Sequence, residues 1–216
     1  MSLVLFAILS IYTIAIGLLV YGFFKVKTYR KRNLNPKTSF TIIVPFRDEE
    51  ENLPNLLSSF SKLNYPTDLF EVILVDDSSK EKFQVLGFKF RVSIIDNIRV
   101  SNSPKKDAIS IAMKQVKTDW VITTDADCIV HENWLLTFDN YIQENNISML
   151  AGAVTYECEN SFLHHFQQLD LTSLQGATIG SFGIKKAFMC NGANFAYKKS
   201  LFEKLNGFEG NDKIAS

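Results

Sequence analysis

The chain opens on an unbroken run of apolar positions and only then begins to alternate. From Leu3 to Phe24 it reads LVLFAILSIYTIAIGLLVYGFF, with no charged residue. As a helix rising 1.5 Å per residue, this run reaches about 30 Å, enough to cross the hydrocarbon core of a bilayer. Nothing polar interrupts it to create a wet face. Lys25, Lys27, Arg30, Lys31 and Arg32 follow at once, and this bias assigns the remainder of the chain to the cytoplasmic side. A cleaved signal peptide would carry its positive charge before a shorter apolar run, with a small-residue cleavage site after it; here the order is reversed. The pattern therefore predicts one uncleaved transmembrane helix over residues 1–24, a basic linker over 25–39 and a folded domain over 40–216. The expected location is a membrane with a single N-terminal span, a bacterial inner membrane, and the domain in the cytoplasm.

Beyond the polar, Pro-containing stretch NLNPKTS at 33–39, apolar runs of strand length alternate with amphipathic stretches of helix length. Strands are predicted at Phe40–Pro45, Phe70–Val75, Arg91–Ile95, Trp120–Thr124 and around Ser148–Thr155. Helices are predicted at about Glu49–Leu63, where Leu53, Leu56, Leu57 and Phe60 recur at helical spacing, at Pro104–Val116 and around Glu132–Glu144. The segment Lys80–Phe90 has no defined pattern. Continuous β-branched strand runs suit strands covered on both faces. Strand–helix alternation of this kind predicts an α/β fold, a mainly parallel Rossmann-like sheet with flanking helices, preceded by the transmembrane helix. Ligands of such sheets collect outside the carboxyl ends of the strands.

Composition changes this picture little. Lys plus Arg and Asp plus Glu number 23 each, so no global charge points to nucleic acid as a partner. Cys128, Cys158 and Cys190 form an odd set without CxxC or His/Cys spacing, which argues against a disulfide framework or a zinc site and for reduced thiols. His164 and His165 read as ordinary polar positions on a helix.

Candidate chemistry gathers at the predicted strand ends. Asp76-Asp77-Ser78-Ser79 closes the second strand and Asp125-Ala126-Asp127 the fourth. In extended chain, residues two apart point the same way, so Asp125 and Asp127 can converge on a cation. Hard carboxylate oxygens select Mg²⁺ or Mn²⁺, with positions left for phosphate oxygens. Turn formation and helix capping are the competing roles for these Asp and Ser residues.

The runs TIIVPFRDEE at 41–50, ILVDDSS at 73–79, SPKKDAI at 103–109, TTDADC at 123–128 and NGANFAYKKSLFEKLNGF at 191–208 together resemble the family 2 glycosyltransferases. The resemblance covers about Phe40 to Phe208 and implies a GT-A fold, an inverting mechanism and a nucleotide-diphosphosugar donor, UDP- or GDP-linked. It further implies a divalent metal (Mg or Mn) and a glycan, polysaccharide, envelope or lipid-linked acceptor. By position, it implies that residues around Val44, Pro45, Arg47 and Glu49 line the nucleotide pocket and that Asp76 or, preferably, Asp77 meets the base. Lys105 stands where the family has a Gly-Lys lysine near base and phosphates; Pro104 replaces the glycine here, and Lys106 is the alternative. Asp125 and Asp127 would serve metal, ribose and diphosphate, while Gly192, Ala193 and Asn194 would border donor sugar and acceptor.

Inverting transfer needs a general base for the acceptor hydroxyl. Related enzymes carry it in an acidic pair after a Gly-Gly-Phe-like turn. After Asn206-Gly207-Phe208 this chain reads EGNDKIAS, leaving Asp212 as the candidate. The expectation is a catalytic domain incomplete at its C-terminus, with the base beyond Ser216. A sugar nucleotidyltransferase would want an early Gly-rich phosphate loop, which VPFRDEE does not supply. A non-catalytic nucleotide-sugar-binding fragment is the other alternative.

Overall fold

The computed structural model describes residues 2–29, 34–85, 87–157 and 160–211. By its internal contacts the chain divides into two units, one of Met1–Arg30 with Ala153–Asn191, the other of Lys31–Gly152 with Gly192–Ser216.

The second unit is built on a six-stranded sheet. Its elements are β1 (Phe40–Phe46), α2 (Leu53–Ser61), β2 (Phe70–Asp76), β3 (Arg91–Asp96), α3 (Pro104–Met113), β4 (Trp120–Thr123), α4 (Trp134–Glu144), β5 (Met149–Ala151), β6 (Phe195–Lys198) and α6 (Lys199–Lys204). The strand order is β3-β2-β1-β4-β6-β5. β1 pairs in parallel with both β2 and β4, and β2 with β3, whereas β6 runs antiparallel to β4 and to β5.

The side-chain period of two sorts β1 between two layers. Phe40, Ile42, Val44 and Phe46 pack with Leu53, Leu56, Leu57 and Phe60 of α2 and with Leu135 and Phe138 of α4. On the opposite face Ile43, Ile73, Val75 and Val121 meet Ala108, Ile109, Ala112 and Met113 of α3. Both faces are covered, as the unbroken apolar strand runs predicted.

Several boundaries differ from the sequence reading. α2 begins at Leu53 rather than Glu49, because Asn52 and Leu53 donate to the Glu49 carbonyl in a preceding turn and Pro54 then sets the first helical turn. The strand expected over 148–155 shortens to Met149–Ala151. β6 follows directly on Gly192–Asn194, in a stretch where no strand was predicted. Its FAYK sequence is short and its ladder partner Trp120–Thr123 is remote in the chain, so no local pattern announces it.

Residues 34–38, just before β1, are also held more firmly than their composition suggests. Lys37 and Thr38 donate their backbone N–H groups to the two carboxylate oxygens of Asp139 at 3.0 and 3.1 Å, and the Thr38 hydroxyl donates to the same side chain at 2.5 Å. Leu34 donates to Asn140 Oδ1 at 3.1 Å, and the Tyr65 hydroxyl donates to the Thr38 carbonyl at 2.7 Å. A fully buried carboxylate on α4 thus holds the chain entering β1.

The first unit contains α1 (Ser2–Lys25) and α5 (Phe162–Gly183). α1 is the one helix among the described residues long and apolar enough to cross a membrane, with mean hydropathy 2.7 over an 18-residue stretch. α5 starts where the Ser161 hydroxyl accepts from His164 N–H, a side-chain N-cap. The two helices touch backbone to backbone. A Cβ on Gly183 would fall 1.9 Å from the Gly22 carbonyl oxygen, and one on Gly180 would fall 2.2 Å from that of Leu19. Only glycine permits this approach.

Candidate active site

The carboxyl ends of β1, β2 and β4 form one rim, because these strands are parallel and in adjacent register: Phe46 stands opposite Asp76, and Ile43 opposite Thr123. A cleft of about 340 Å³ opens at this rim. Pro45, Arg47, Glu49, Asp77, Lys105, Asp125 and Asp127 line it, together with Phe46, Pro104, Ala108 and Ala126. Seven positions singled out in the sequence therefore share one cavity.

The loops at the rim are tied to each other. Asp48 donates its N–H to Ser79 Oγ at 2.9 Å, and Lys80 N–H donates to Asp48 Oδ1 at 2.8 Å. Asp48 (φ 54°) and Ser78 (φ 65°) both adopt the left-handed region. Asp enters that region more readily than most residues, and such conformations persist where surrounding bonds over-determine them.

The two aspartates at the end of β2 divide their roles. Asp76 is buried, accepting Ser79 N–H on one oxygen at 2.8 Å and Lys82 Nζ on the other at 2.9 Å. Burial pushes its carboxyl up, but the Ser79 and Lys82 hydrogen bonds outweigh that and hold it below the usual range. Asp77 is the member that faces the cleft. Arg99 donates Nε to its Oδ1 at 2.8 Å and Nη2 to its Oδ2 at 2.5 Å, and Asn97 Nδ2 adds a third bond at 2.8 Å. The Arg99 guanidinium, against the opposing effect of burial, keeps Asp77 ionised well below the ordinary carboxylate range.

Asp125 and Asp127 do not lie in extended chain. β4 ends at Thr123, and Cys128 N–H donates to the Asp125 carbonyl at 3.2 Å, closing a turn across the motif. The pair shares the cleft through this turn rather than through strand alternation. Lys105 Nζ reaches Asp125 Oδ1 at 2.5 Å. It also lies 3.9 Å from the point where a Gly192 Cβ would stand, an ordinary contact distance that puts Gly192 beside the ammonium group. No group of three or more His, Cys, Asp or Glu side chains converges among the described residues. The donor set is thus two carboxylates of hard oxygen, and Mg²⁺ or Mn²⁺ bound through one or two carboxylates takes its other ligands from phosphates and water. These residues fit such an ion, and Asp125 and Asp127 are the side chains that would hold it.

Other predicted residues fall elsewhere. The Val44 side chain is fully buried in the core, so only its backbone is available to the rim. Lys106 turns away from the cleft and donates to the Asn211 carbonyl at 2.8 Å. Gly192–Asn194 form a one-turn 3₁₀ helix before β6. Thr123 Oγ1 donates to the Gly192 carbonyl at 2.7 Å, and Asn194 Oδ1 accepts from Trp134 Nε1 at 2.9 Å. These bonds fix the turn beside β4. Asp212 and Cys158 lie outside the described residues. Cys128 is a free thiol, pushed up by burial and thus poorly suited to act as a nucleophile.

Arg99 and Asn97 were not legible as site residues. The available signal was positional: they follow β3, whose carboxyl end abuts that of β2 in a parallel sheet.

Comparison with known proteins agrees with this construction. A family model described as Glycosyl transferase family 2 matches residues 41–206. The poly(ribitol-phosphate) beta-N-acetylglucosaminyltransferase TarS of Staphylococcus aureus is 29% identical over 117 residues, covering 51% of this chain and 20% of that protein. A poly-beta-1,6-N-acetyl-D-glucosamine synthase of Staphylococcus epidermidis is 23% identical over 95% of this chain and 51% of its own length. The chain thus spans about half or less of the length of these relatives. Among solved structures, the mannosyltransferase PcManGT of Pyrobaculum calidifontis, in complex with GDP-Man and Mn²⁺, superposes with TM-score 0.61 at 16% identity, over 92% of this chain and 57% of that one. S. aureus TarS 1-349 in complex with UDP-GlcNAc gives TM-score 0.55 at 19% identity, over 78% and 47%. These structural likenesses establish a shared GT-A-type fold. With a family match that runs from β1 through α6, over most of the chain, this protein belongs to glycosyl transferase family 2.

Proposed function

We propose that this chain carries the donor site of a membrane-anchored inverting glycosyltransferase that takes a UDP- or GDP-linked sugar with a divalent metal. The observation that carries the reading is the convergence of Arg47, Asp77, Lys105, Asp125 and Asp127 on one cleft at the strand ends. Its chemistry is graded. Asp77, ionised and clamped at the far side by Arg99, offers its remaining acceptor capacity to an N–H of the base. Arg47 and Lys105 supply cations for the diphosphate. Asp125 and Asp127 are the residues that would hold the metal, which when bound neutralises charge developing on the departing nucleotide. Gly192–Asn194, without a side chain at Gly192, border the space left for the donor sugar and the acceptor.

In the inverting reaction the acceptor hydroxyl oxygen bonds to the anomeric carbon from the face opposite the nucleoside diphosphate, whose oxygen leaves with the bonding electrons. The hydroxyl proton goes to a carboxylate base. Bound donors of two solved neighbours, GDP-Man and UDP-GlcNAc, and the Mn²⁺ of the first support the donor class and the ion. α1, with Lys25 and Lys27 at its end, is read as a single span with the catalytic unit on the cytoplasmic side. The acceptor is read as an envelope glycan, a polysaccharide or a lipid-linked sugar, in keeping with the names of the relatives.

Isothermal titration with UDP- and GDP-sugars, with Mn²⁺ and with chelator, tests this reading. Binding that weakens on chelation is expected; absence of binding to either nucleotide under both conditions overturns it.

A further inference from the structure

α5 is built inside out for a helix in water. Its stripe at helical spacing, His164, Gln168, Leu171, Gln175 and Thr178, is half-buried or buried. That stripe is mostly polar, and its central Gln168 is served from within the unit: Gln168 Nε2 donates to Thr155 Oγ1 at 2.6 Å, and Tyr156 N–H donates to Gln168 Oε1 at 3.1 Å. The opposite face carries Phe162, Phe166 and Leu169, which are 87%, 60% and 65% exposed, flanked by Leu163 and Leu174. An amphipathic helix on an aqueous core would be arranged the other way. Apolar rings this exposed mark a surface that something apolar covers.

The neighbouring helix says what covers it. α5 is locked to α1 through Gly22, Gly180 and Gly183 at backbone contact distance. α1 itself exposes nearly every large side chain from Leu3 to Phe24. The contact falls at Leu19–Gly22, in the last turns before Lys25 and Lys27, where a span with a basic flank meets the headgroups. A soluble partner seated on α5 would leave α1 uncovered; a bilayer covers both. α5 also carries exposed Gln167 and Asp170, which suit the headgroup boundary and not the hydrocarbon centre.

We infer that α5 is a second lipid-contacting element, lying in the membrane interface with Phe162, Phe166 and Leu169 turned into the acyl boundary, and clamped to the transmembrane helix by its glycines. This rests on the reading of α1 as a span. Helices of this kind bury their apolar face about 5–10 Å into the headgroup–acyl boundary.

Trp fluorescence of the full chain in phosphatidylcholine–phosphatidylglycerol vesicles tests it, using Phe166→Trp and Leu9→Trp separately. Each is read as the difference from the parent chain, whose own tryptophans are Trp120 and Trp134. Both new positions are exposed, so the larger ring displaces no packing. For Phe166→Trp, lipids brominated near the headgroup should quench roughly twofold more than lipids brominated near the chain ends, consistent with that shallow depth. Leu9→Trp should show the deeper pattern. Quenching of the α1 tryptophan alone overturns the inference and leaves the anchor standing, the α5 face then belonging to a protein partner or to water. Quenching of neither overturns the anchor as well. Strongest quenching of Phe166→Trp by deep bromines overturns interfacial placement in favour of a second span.

Discussion

At the residue scale, the site is a set of charges that neutralise each other. Lys105 stands on Asp125, one of the two carboxylates proposed to hold the metal. Both side chains are about one-third exposed, so the pair contributes little to folding, on the order of 1 kcal/mol or less. Lys105→Ala should therefore change stability by no more than that, measured by urea unfolding. The same variant should tighten binding of Mn²⁺ alone and weaken nucleoside diphosphate about tenfold or more, since a charge-assisted hydrogen bond is worth roughly 1.5–3 kcal/mol. Asp125→Asn should instead abolish the gain in nucleotide affinity on adding Mn²⁺, measured by calorimetry. Asp77 carries a pH signature. Its carboxyl titrates lower in the folded chain than in the unfolded one, where an Asp titrates near about 3.9. The stability it contributes is thus present above about pH 4 and is lost as pH falls through its depressed folded value. Arg99→Ala removes the largest cause of that depression. Its unfolding free energy should fall less steeply than the parent's below about pH 4, in denaturant titrations across that window.

At the element scale, helices and strands hold more than their own core. Asp139 on α4 takes three hydrogen bonds from Lys37 and Thr38 and a fourth from Gln143 Nε2 at 3.0 Å. Burial and the Asp139 charge push the Tyr65 phenol up, so its hydroxyl remains a donor to Thr38. Asp139→Ala orphans two backbone N–H groups and should cost about 1–3 kcal/mol in urea unfolding, with proteolysis increasing between residues 34 and 39. On the other unit, Gly183→Leu places a side chain where the Gly22 backbone already stands. The helix pair must separate or shift, at a cost typically of about 1–3 kcal/mol. Nucleotide affinity should stay within about twofold of the parent's in calorimetry, because the sheet and its cleft belong to the other compact unit.

At the scale of the whole molecule, two units with different outer surfaces share one chain. The sheet unit buries its apolar side chains in two layers, whereas the helical unit leaves its apolar side chains outside. Donor binding is expected to stabilise only the sheet unit, by about 2.7 kcal/mol at a donor concentration one hundred times Kd, and chelation should remove that gain in thermal unfolding. Much of this was determined by the sequence. The charge-free run before Lys25, the two-sided burial of β1 and β2 and the helical spacing of Leu53, Leu56, Leu57 and Phe60 are local periodicities, and local periodicity survives without knowing the fold. The strand-end aspartates were legible for the same reason, since a parallel sheet brings its carboxyl ends to one rim. The tertiary structure turned the preferences for Asp77 over Asp76 and for Lys105 over Lys106 into contacts, and it alone showed that Arg99 clamps Asp77 and that a four-residue strand enters beside β4. It alone paired Asp139 with the linker and α5 with α1. Each of these joins residues distant in sequence through one hydrogen bond, one ion pair or one backbone contact. Such single contacts leave no period in the chain, so they exist only once the fold has brought their partners together.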